Sequence, residues 1–395
     1  MTVPDALILS AVRTAVGKAP RGTLRDQRPD DLAAAVVSEA IGRVPGLAPA
    51  QVDDLILGCA IPEGPQGMNV ARIAGLRAGV PTSVPGYTVN RFCASGLQAI
   101  ANAAAAIATG MAELVVAGGV ESMSQVPIPG ARPAPNPYLV EHLPAAYMSM
   151  GQTAEEVAVR FGVSREDQDA FALASHRRAA AALAAGRFRD EILPLPVTRL
   201  LLTDGRPAGT ETIVFAQDEG VRPDTSAAAL AALRPAFRQG GTVTAGNSSQ
   251  TSDGAAALVL ASPAMAERLG ARPLGVFRSA AVTGVDPDVM GIGPVRAIPL
   301  ALGRAGVALA DVDVIELNEA FAAQAVAVVR ELGLDPERVN PNGGAIALGH
   351  PLGCTGARLT VTLLHELARR GGHRIGVVSM CVGGGMGMAG VFEVG

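Results

Sequence analysis

Cys93 lies in a stretch whose residue types could support nucleophilic chemistry. A short apolar run leads to Arg91-Phe92-Cys93, and an alanine-rich run of small and apolar residues, 96–108, follows it. That run predicts a helix that is buried on most of its surface. We therefore expect Cys93 near a helix N-terminus, where unpaired amide groups and the helix dipole stabilise a thiolate and lower its pKa. A buried structural cysteine is the alternative, because a free cysteine commonly packs as a small apolar residue.

Three segments of the C-terminal third could supply the base, the acid and the oxyanion site that such a thiol needs. Residues 318–321 (Asn-Glu-Ala-Phe) follow a predicted strand, a glycine-rich loop at 343–351 contains His350, and Cys381 stands before three glycines at 383–385. The loops that follow the strands of an α/β sheet meet at one edge of that sheet. We therefore expect these groups to lie over the reactive thiol.

The elements that must position these groups occur twice in the chain. Residues 50–60 (AQVDDLILGCA) resemble residues 310–320 (ADVDVIELNEA), and the Val-Asn pair at 89–90 matches the pair at 339–340. A long helix and an apolar strand that ends in glycines follow each pair. The sequence thus predicts two copies of one αβ unit, each with helices packed on both faces of a sheet. Chance similarity between alanine-rich segments is the alternative.

The chain between these two copies differs in character. Residues 127–144 are rich in proline, which predicts an irregular segment. Two helix starts follow, at Thr153-x-x-Glu156 and Ser164-x-x-Asp167, each with a carboxylate that can return a hydrogen bond to the cap. We predict an N-terminal repeat, an inserted loop domain and a C-terminal repeat, with the bounds 1–120 plus 247–270, 121–246 and 271–395.

Composition excludes several classes of protein. The chain has 395 residues, of which 49% are hydrophobic and 17% charged, with a net charge of -4. This charge gives no basic surface for nucleic acid, and no apolar run is long enough to predict a membrane span. Asp5 and the short apolar run before Arg13 predict a first strand and not a secretory signal. The low charge content also predicts extensive contact between subunits.

The cysteines predict neither a zinc site nor a disulfide framework. The four of them, Cys59, Cys93, Cys354 and Cys381, are widely separated and form no CxxC pair. We expect reduced thiols in a cytoplasmic protein, and no metal site.

Four motifs together carry a resemblance to a known family. They are NRFCASGLQA at 90–99, NEAFA at 318–322, GGAIALGHP at 343–351 and CVGGGMG at 381–387. In this order they resemble the thiolase family over essentially the whole chain, and specifically its degradative branch, the 3-ketoacyl-CoA thiolases. The resemblance implies the α/β thiolase fold, in which two similar αβ repeats form a five-layered αβαβα core with an inserted loop domain. It also implies a homodimer or a homotetramer.

The resemblance further implies roles for single residues. Cys93 stands where the family has the nucleophile that becomes an acyl thioester, His350 where it has the base, and Cys381 where it has the second acid and base. Asn318 stands where the family has the residue that, with the histidine, holds the thioester oxygen through water. The amide groups of Cys93 and Gly383 would form a second oxyanion hole.

Other positions bear on the coenzyme and on the branch of the family. Arg222 and Ser249 match positions that touch coenzyme A in some relatives. Residues 149–151, Ser-Met-Gly, depart from the His-Met-Gly of the biosynthetic branch and favour the degradative one. Residues 385–390 satisfy GxGxxG, but a predicted strand follows them, so we predict no dinucleotide site there.

The reaction that this resemblance implies is the cleavage of 3-oxoacyl-CoA by coenzyme A. It would give acetyl-CoA and a shortened acyl-CoA by a ping-pong mechanism through an acyl-cysteine. Condensation of two acetyl-CoA molecules to acetoacetyl-CoA is the alternative on the same residues, and an inactive acyl-CoA or lipid carrier is a third possibility. We expect coenzyme A as a co-substrate, no tightly bound cofactor, and association with other enzymes of fatty-acid β-oxidation.

Overall fold

A computed structural model describes residues 5–203 and 206–395 of the chain. No helix within these ranges is long and apolar enough to cross a membrane. The strands in these ranges are β1 (Ala6–Thr14), β2 (Gly17–Lys18), β3 (Asp54–Gly58), β4 (Gly86–Val89), β5 (Leu114–Ser122), β6 (Ile192–Leu193), β7 (Leu195–Thr203), β8 (Arg206–Phe215), β9 (Ser252–Ala261), β10 (Gly275–Gly284), β11 (Val314–Leu317), β12 (Arg374–Val382) and β13 (Met386–Val394). The α-helices are α1 (Pro29–Gly42), α2 (Val70–Arg77), α3 (Ser95–Ala108), α4 (Pro137–His142), α5 (Met150–Arg160), α6 (Arg165–Ala184), α7 (Ala227–Ala231), α8 (Pro263–Leu269), α9 (Gly293–Ala305), α10 (Ala322–Leu332), α11 (Ala345–Leu348) and α12 (Leu352–Arg370).

One long sheet contains both predicted repeats. Its strand order is β11-β12-β13-β10-β1-β9-β5-β3-β4, while β2 pairs with β9 and β6 with β1. In one half β4, β3 and β5 are parallel to one another and β9 is antiparallel to β5 and β1. In the other half β11 is parallel to β12, and β13 is antiparallel to β12 and β10. The two halves meet where β1 pairs with β10, so the repeated topology is confirmed.

Helices divide this structure into five layers. Helices α1 and α2 pack on the outer face of the first half-sheet, and α9 and α10 pack on the outer face of the second. Helices α3 and α12 pack against each other between the two half-sheets. Strand residues alternate accordingly, since Val116 faces the α1 side whereas Val115 faces α3. The order of layers is the αβαβα arrangement that the family resemblance implies.

Glycines allow the two central helices to approach each other closely. A Cβ at Gly356 of α12 would lie 2.3 Å from the backbone nitrogen of Leu97 in α3. A Cβ at Gly96 would lie 2.6 Å from the backbone nitrogen of Ala357. Neither position can accept a side chain unless the helices separate. The distance between these helices is therefore set by backbone contact.

The segment between the repeats confirms one predicted helix start and corrects the other. Ser164 caps α6, because its Oγ accepts from the amide of Asp167 at 3.1 Å and the Asp167 carboxylate accepts from the amide of Ser164 at 3.0 Å. The prediction at Thr153 was wrong: α5 begins at Met150, and the Thr153 hydroxyl donates to the Met150 carbonyl within that helix. The predicted domain bounds stay a prediction.

We expect Gly356→Ala to lower the free energy of unfolding by about 1–3 kcal/mol, because the added methyl group forces α3 and α12 apart. Gly303→Ala is the matched control, since Gly303 lies in α9 and a Cβ there would meet no atom within 4 Å. That change should stabilise the protein by about 0.5–1 kcal/mol. Urea unfolding of both variants measures the difference, and equal effects would show that the helix contact is not tight.

Candidate active site

Cys93 lies in a 3-10 turn, Phe92–Ala94, directly before α3. The Ser95 hydroxyl closes this turn, because it accepts from the Arg91 amide at 2.9 Å and donates to the Phe92 carbonyl at 2.7 Å. Phe92 has a φ of 43°, a left-handed conformation that is uncommon outside glycine and often marks functional sites. The predicted placement of Cys93 at a helix start is confirmed, although its side chain is only 6% exposed.

The ionisation of Cys93 differs from the prediction. Burial raises the pKa of its thiol to about 11, while hydrogen bonds from the amides of Gly383 and of Cys93 itself act in the opposite direction. The predicted lowering of the pKa by the helix terminus was wrong. Loss of hydration destabilises the thiolate by more than the two amide hydrogen bonds stabilise it. The resting group is a neutral thiol that faces two N–H donors.

His350 is held as a neutral imidazole by the start of α12. Its Nδ1 lies 2.6 Å from the Thr355 hydroxyl, which itself donates to the Pro351 carbonyl at 2.8 Å. Because a hydroxyl has one proton, it must accept from Nδ1–H, and Nε2 is left unprotonated as an acceptor. Burial, and then the charge of Arg358, lower the pKa of His350 to about 3. The ring is therefore neutral near neutral pH, and its Nε2 is the unprotonated nitrogen.

Asn318 connects this imidazole to the strand that bears the second thiol. It follows β11, its amide donates to the Ser379 carbonyl of β12 at 2.8 Å, and its Nδ2 lies 3.3 Å from Nε2 of His350. Since that Nε2 is unprotonated, Nδ2 is the donor. Oδ1 is buried and has no hydrogen-bond partner among the described residues. This oxygen is free to accept a hydrogen bond from a molecule that enters the site.

Cys381 completes the group of polar side chains. It lies in β12 with no exposed surface, and burial, with a further contribution from nearby Cys93, raises the pKa of its thiol. Helix α12, which begins two residues after His350, packs on the turn that holds Cys93. The structure therefore brings together the predicted residues Cys93, His350, Cys381, Asn318 and Gly383.

The two predicted coenzyme contacts lie on neighbouring loops. The side chain of Arg222 is exposed, and its backbone amide donates to Nδ1 of His176 at 3.2 Å. Ser249 is half-buried, and its amide donates to the carbonyl of Ala320 at 2.9 Å. His176 is buried, and burial, followed by the charge of Arg222, lowers its pKa to about 4.

Sequence reasoning missed two of the residues that hold this site. Thr355 fixes the tautomer of His350, and its position five residues after that histidine, at a helix start, is a signal that could have found it. His176 holds the Arg222 loop from α6, and its sequence context contains nothing that predicts this contact. In the GxGxxG pattern, Gly385 lies in a turn and residues 386–390 begin β13, so the pattern leads into a strand and opens no helix.

The absence of a metal site stays a prediction. Within residues 5–203 and 206–395, no group of three His, Cys, Asp or Glu side chains is arranged to hold a metal ion. All four cysteines are free. The absence of a tightly bound cofactor stays a prediction.

The described α/β protein thus has a thiol that faces two amides, a second thiol and a neutral imidazole, which are groups that can support covalent catalysis through cysteine. Residues 6–264 match the model of the thiolase N-terminal domain, and residues 271–394 match that of the thiolase C-terminal domain. The chain belongs to the thiolase family, which confirms the resemblance in its motifs.

Known relatives cover nearly the whole chain. A 3-ketoacyl-CoA thiolase of Bacillus subtilis (strain 168) is 58% identical over 390 residues, which is 99% of each chain. The peroxisomal 3-ketoacyl-CoA thiolase B of Mus musculus is 52% identical over 98% of this chain and 91% of its own length. Two crystal structures share the fold. Human mitochondrial 3-ketoacyl-CoA thiolase is 40% identical, with a TM-score of 0.89 and coverage of 100% of both chains. Bacillus anthracis acetyl-CoA acetyltransferase is 44% identical, with a TM-score of 0.88 and coverage of 99% of both chains. The predicted thiolase fold is confirmed.

We expect His350 to make the protein less stable in acid. Its pKa of about 3 in the folded chain lies below the value of about 6.5 in an unfolded chain, so the unfolded state takes up the proton first as pH falls. The stability linked to His350 is complete above about pH 6.5 and is lost at about 1.4 kcal/mol per pH unit below it.

The variant His350→Gln cannot take up this proton and should unfold with a smaller pH slope between about pH 6.5 and pH 4.5. His142→Gln, which changes an exposed histidine, is the control. Urea unfolding at several pH values measures both slopes. A wild-type slope in His350→Gln would mean that the imidazole is not buried as described.

Proposed function

We propose that this protein is a 3-ketoacyl-CoA thiolase. It cleaves a 3-oxoacyl-CoA with coenzyme A and yields acetyl-CoA and an acyl-CoA that is two carbons shorter. The observation that carries this proposal is the Cys93 thiol held against the amides of Cys93 and Gly383, with a second thiol, Cys381, beside it. One thiol can form an acyl thioester while the other moves a proton. The names of the relatives in Bacillus subtilis and Mus musculus support the same reaction.

The first half-reaction begins with both groups neutral. As the Cys93 sulfur attacks the 3-keto carbon, Nε2 of His350 takes its proton, and the amides of Cys93 and Gly383 stabilise the oxyanion that forms. The bond between C2 and C3 then breaks and leaves an acyl group on Cys93. The Cys381 thiol gives its proton to C2, which releases acetyl-CoA.

The enolate that forms before this proton transfer needs its own stabilisation. Its negative charge lies on the thioester oxygen of the departing acetyl-CoA, and we assign His350 and Asn318 to this oxygen. The free Oδ1 of Asn318 accepts a hydrogen bond from a water whose other proton points to the thioester oxygen. Two separate oxyanion sites therefore serve the two ends of the bond that breaks.

The second half-reaction returns the enzyme to its resting state. The thiol of coenzyme A attacks the acyl-cysteine and gives its proton to the Cys381 thiolate. The Cys93 thiolate leaves and recovers its proton from His350. We assign Arg222, whose side chain is exposed, to the phosphates of coenzyme A, and Ser249 to its pantetheine portion.

Condensation of two acetyl-CoA molecules is the second candidate, because the Bacillus anthracis relative is named acetyl-CoA acetyltransferase. The same residues would catalyse both reactions. Thiolysis rates with acetoacetyl-CoA and with longer 3-ketoacyl-CoA substrates separate them. A marked preference for the longer substrates supports the degradative reaction.

We also propose that the protein is a cytoplasmic homodimer that pairs through β4. This strand ends the sheet, with Tyr87 39% exposed on it and Met68 91% exposed beside it. An unpaired edge strand with apolar side chains is prone to pair with a second copy. The free state of all four cysteines supports a reducing compartment.

Tyr87→Asp places a charge at this edge and should convert the dimer to a monomer, because the buried carboxylate would be unpaired. Tyr138→Asp changes a more exposed tyrosine of α4 and should leave the assembly unchanged. Sedimentation velocity at micromolar concentration measures both. A dimer that survives Tyr87→Asp would locate the interface elsewhere.

Replacement of each of the two thiols should abolish a different step of the reaction. Cys93→Ala should form no acyl-enzyme, because no nucleophile is left, while it still binds acyl-CoA. Cys381→Ser should still accept an acyl group from a simple acyl-CoA, since that step breaks no carbon–carbon bond. It should lose thiolysis and the exchange of acetyl-CoA methyl protons with solvent, because a hydroxyl is too weak an acid for this transfer.

Mass spectrometry of the acyl adduct and deuterium uptake into acetyl-CoA test these expectations together. An adduct on Cys59 or Cys354 would refute the assignment of the nucleophile. Near-normal exchange in Cys381→Ser would show that a group other than Cys381 transfers the proton. No loss of 3-ketoacyl-CoA with the wild-type protein and coenzyme A would refute the proposed function itself.

A further inference from the structure

We infer that Gln250 is a positioning residue that couples the loop carrying Arg222 to the loop carrying His350. We name residues 220–225 the coenzyme loop and residues 343–351 the base loop. The side-chain Nε2 of Gln250 donates to the carbonyl of Gly220 at 2.9 Å and to that of Ile346 at 3.2 Å. Its backbone carbonyl accepts from the amide of His350 at 3.2 Å. This inference rests on the proposed function, which gives the two loops their roles.

A glutamine amide is suited to this position because its two N–H groups can serve two loops at once. The loops also touch directly, and only a glycine allows this. A Cβ at Gly220 would lie 2.7 Å from the carbonyl oxygen of Ala347 and 2.9 Å from Nε2 of Gln250. The spacing between the coenzyme loop and the base loop is therefore set by one side chain and one backbone contact.

Each loop also has a contact of its own. The coenzyme loop is held from α6, where Nδ1 of His176 accepts from the amide of Arg222 at 3.2 Å. The base loop is held from β9, where Oγ of Ser252 accepts from the amide of His350 at 3.1 Å and donates to the Gln250 carbonyl at 2.7 Å. Gln250 alone among these three side chains bonds to both loops.

The proposed reaction needs the coenzyme loop and the base loop in a fixed position relative to each other. Coenzyme A held by Arg222 must bring its thiol to the acyl group on Cys93 while Nε2 of His350 faces the same sulfur. Catalytic groups must keep their geometry to within about 0.5 Å, and supporting hydrogen bonds supply that restraint. Removal of the Gln250 amide should therefore affect coenzyme binding and turnover together.

Steady-state thiolysis by the full-length protein tests the coupling. Gln250→Met keeps the length of the side chain but donates no hydrogen bond. It should lower kcat and raise KM for coenzyme A by roughly three- to tenfold each, the effect of about one neutral hydrogen bond. His176→Leu should raise only KM for coenzyme A, and Ser252→Ala should lower only kcat.

Gln168→Met is the matched control. Gln168 is a buried glutamine whose Nε2 donates to Thr242 Oγ1 at 2.9 Å, and it bonds to neither loop. Like Gln250, it has an Oε1 without a hydrogen-bond partner among the described residues. Its replacement should lower stability and leave kcat and KM unchanged. If Gln168→Met changed kcat and KM as much as Gln250→Met does, the effect of Gln250 would be one of general packing.

Hydrogen–deuterium exchange of the intact protein tests the same coupling without any activity. Gln250→Met should speed exchange in both loops, His176→Leu in the coenzyme loop only, and Ser252→Ala in the base loop only. Faster exchange in one loop or in neither with Gln250→Met would overturn the inference. If the wild-type protein has no thiolysis activity, the proposed function fails, whereas the exchange data still decide whether Gln250 joins the loops.

Discussion

The backbone contact between α3 and α12 is the constraint on which the site depends. Because Gly96 and Gly356 leave no space between the two helices, their axes and their N-terminal ends are fixed relative to each other. Two half-sheets cover this pair from both sides and exclude water from it. Cys93 stands before the first helix and His350 before the second, so the packing of the core also sets the geometry of the proposed nucleophile and its proposed base.

The same burial sets the ionisation of Cys93 and His350 and so constrains the proposed mechanism. A thiol with a pKa of about 11 and an imidazole with a pKa of about 3 form no ion pair at rest. In the proposed reaction, charge separation therefore accompanies the arrival of the substrate, whose developing oxyanion meets amides that are already in place. No water has to be displaced from a thiolate beforehand. In that proposal, preorganised donors in a dry site take the place of a permanently activated cysteine.

The sequence predicted the groups of the site better than their state. Motifs located Cys93, His350, Cys381 and Asn318, and the internal repeat predicted two copies of one αβ unit. The pKa of Cys93 was predicted in the wrong direction because burial comes from helices and strands distant in the chain. Gln250 and His176 were missed for the same reason. The hydrogen-bond partners of Gln250 lie 30 and 96 residues away along the chain, and the partner of His176 lies 46 residues away. Ordinary polar residues acquire such roles only through tertiary contacts.

Divergence of the two repeats explains why one carries Cys93, the proposed nucleophile, and the other His350, its proposed base. Gly58 and Asn318 are equivalent, since β3 starts at Asp54 and β11 at Val314, and both differences are 260 (314 − 54 and 318 − 58). A Cβ at Gly58 would lie 2.3 Å from the backbone of Ser95, because α3 starts five residues after its Val-Asn pair. In the second repeat α12 starts twelve residues after the pair (352 − 340). The longer connection moves the start of α12 away from the end of β11, which leaves space for the side chain of Asn318. The same connection carries His350. The tight connection therefore places Cys93 at the helix start, whereas the long one carries His350 and leaves space for Asn318 at the strand end.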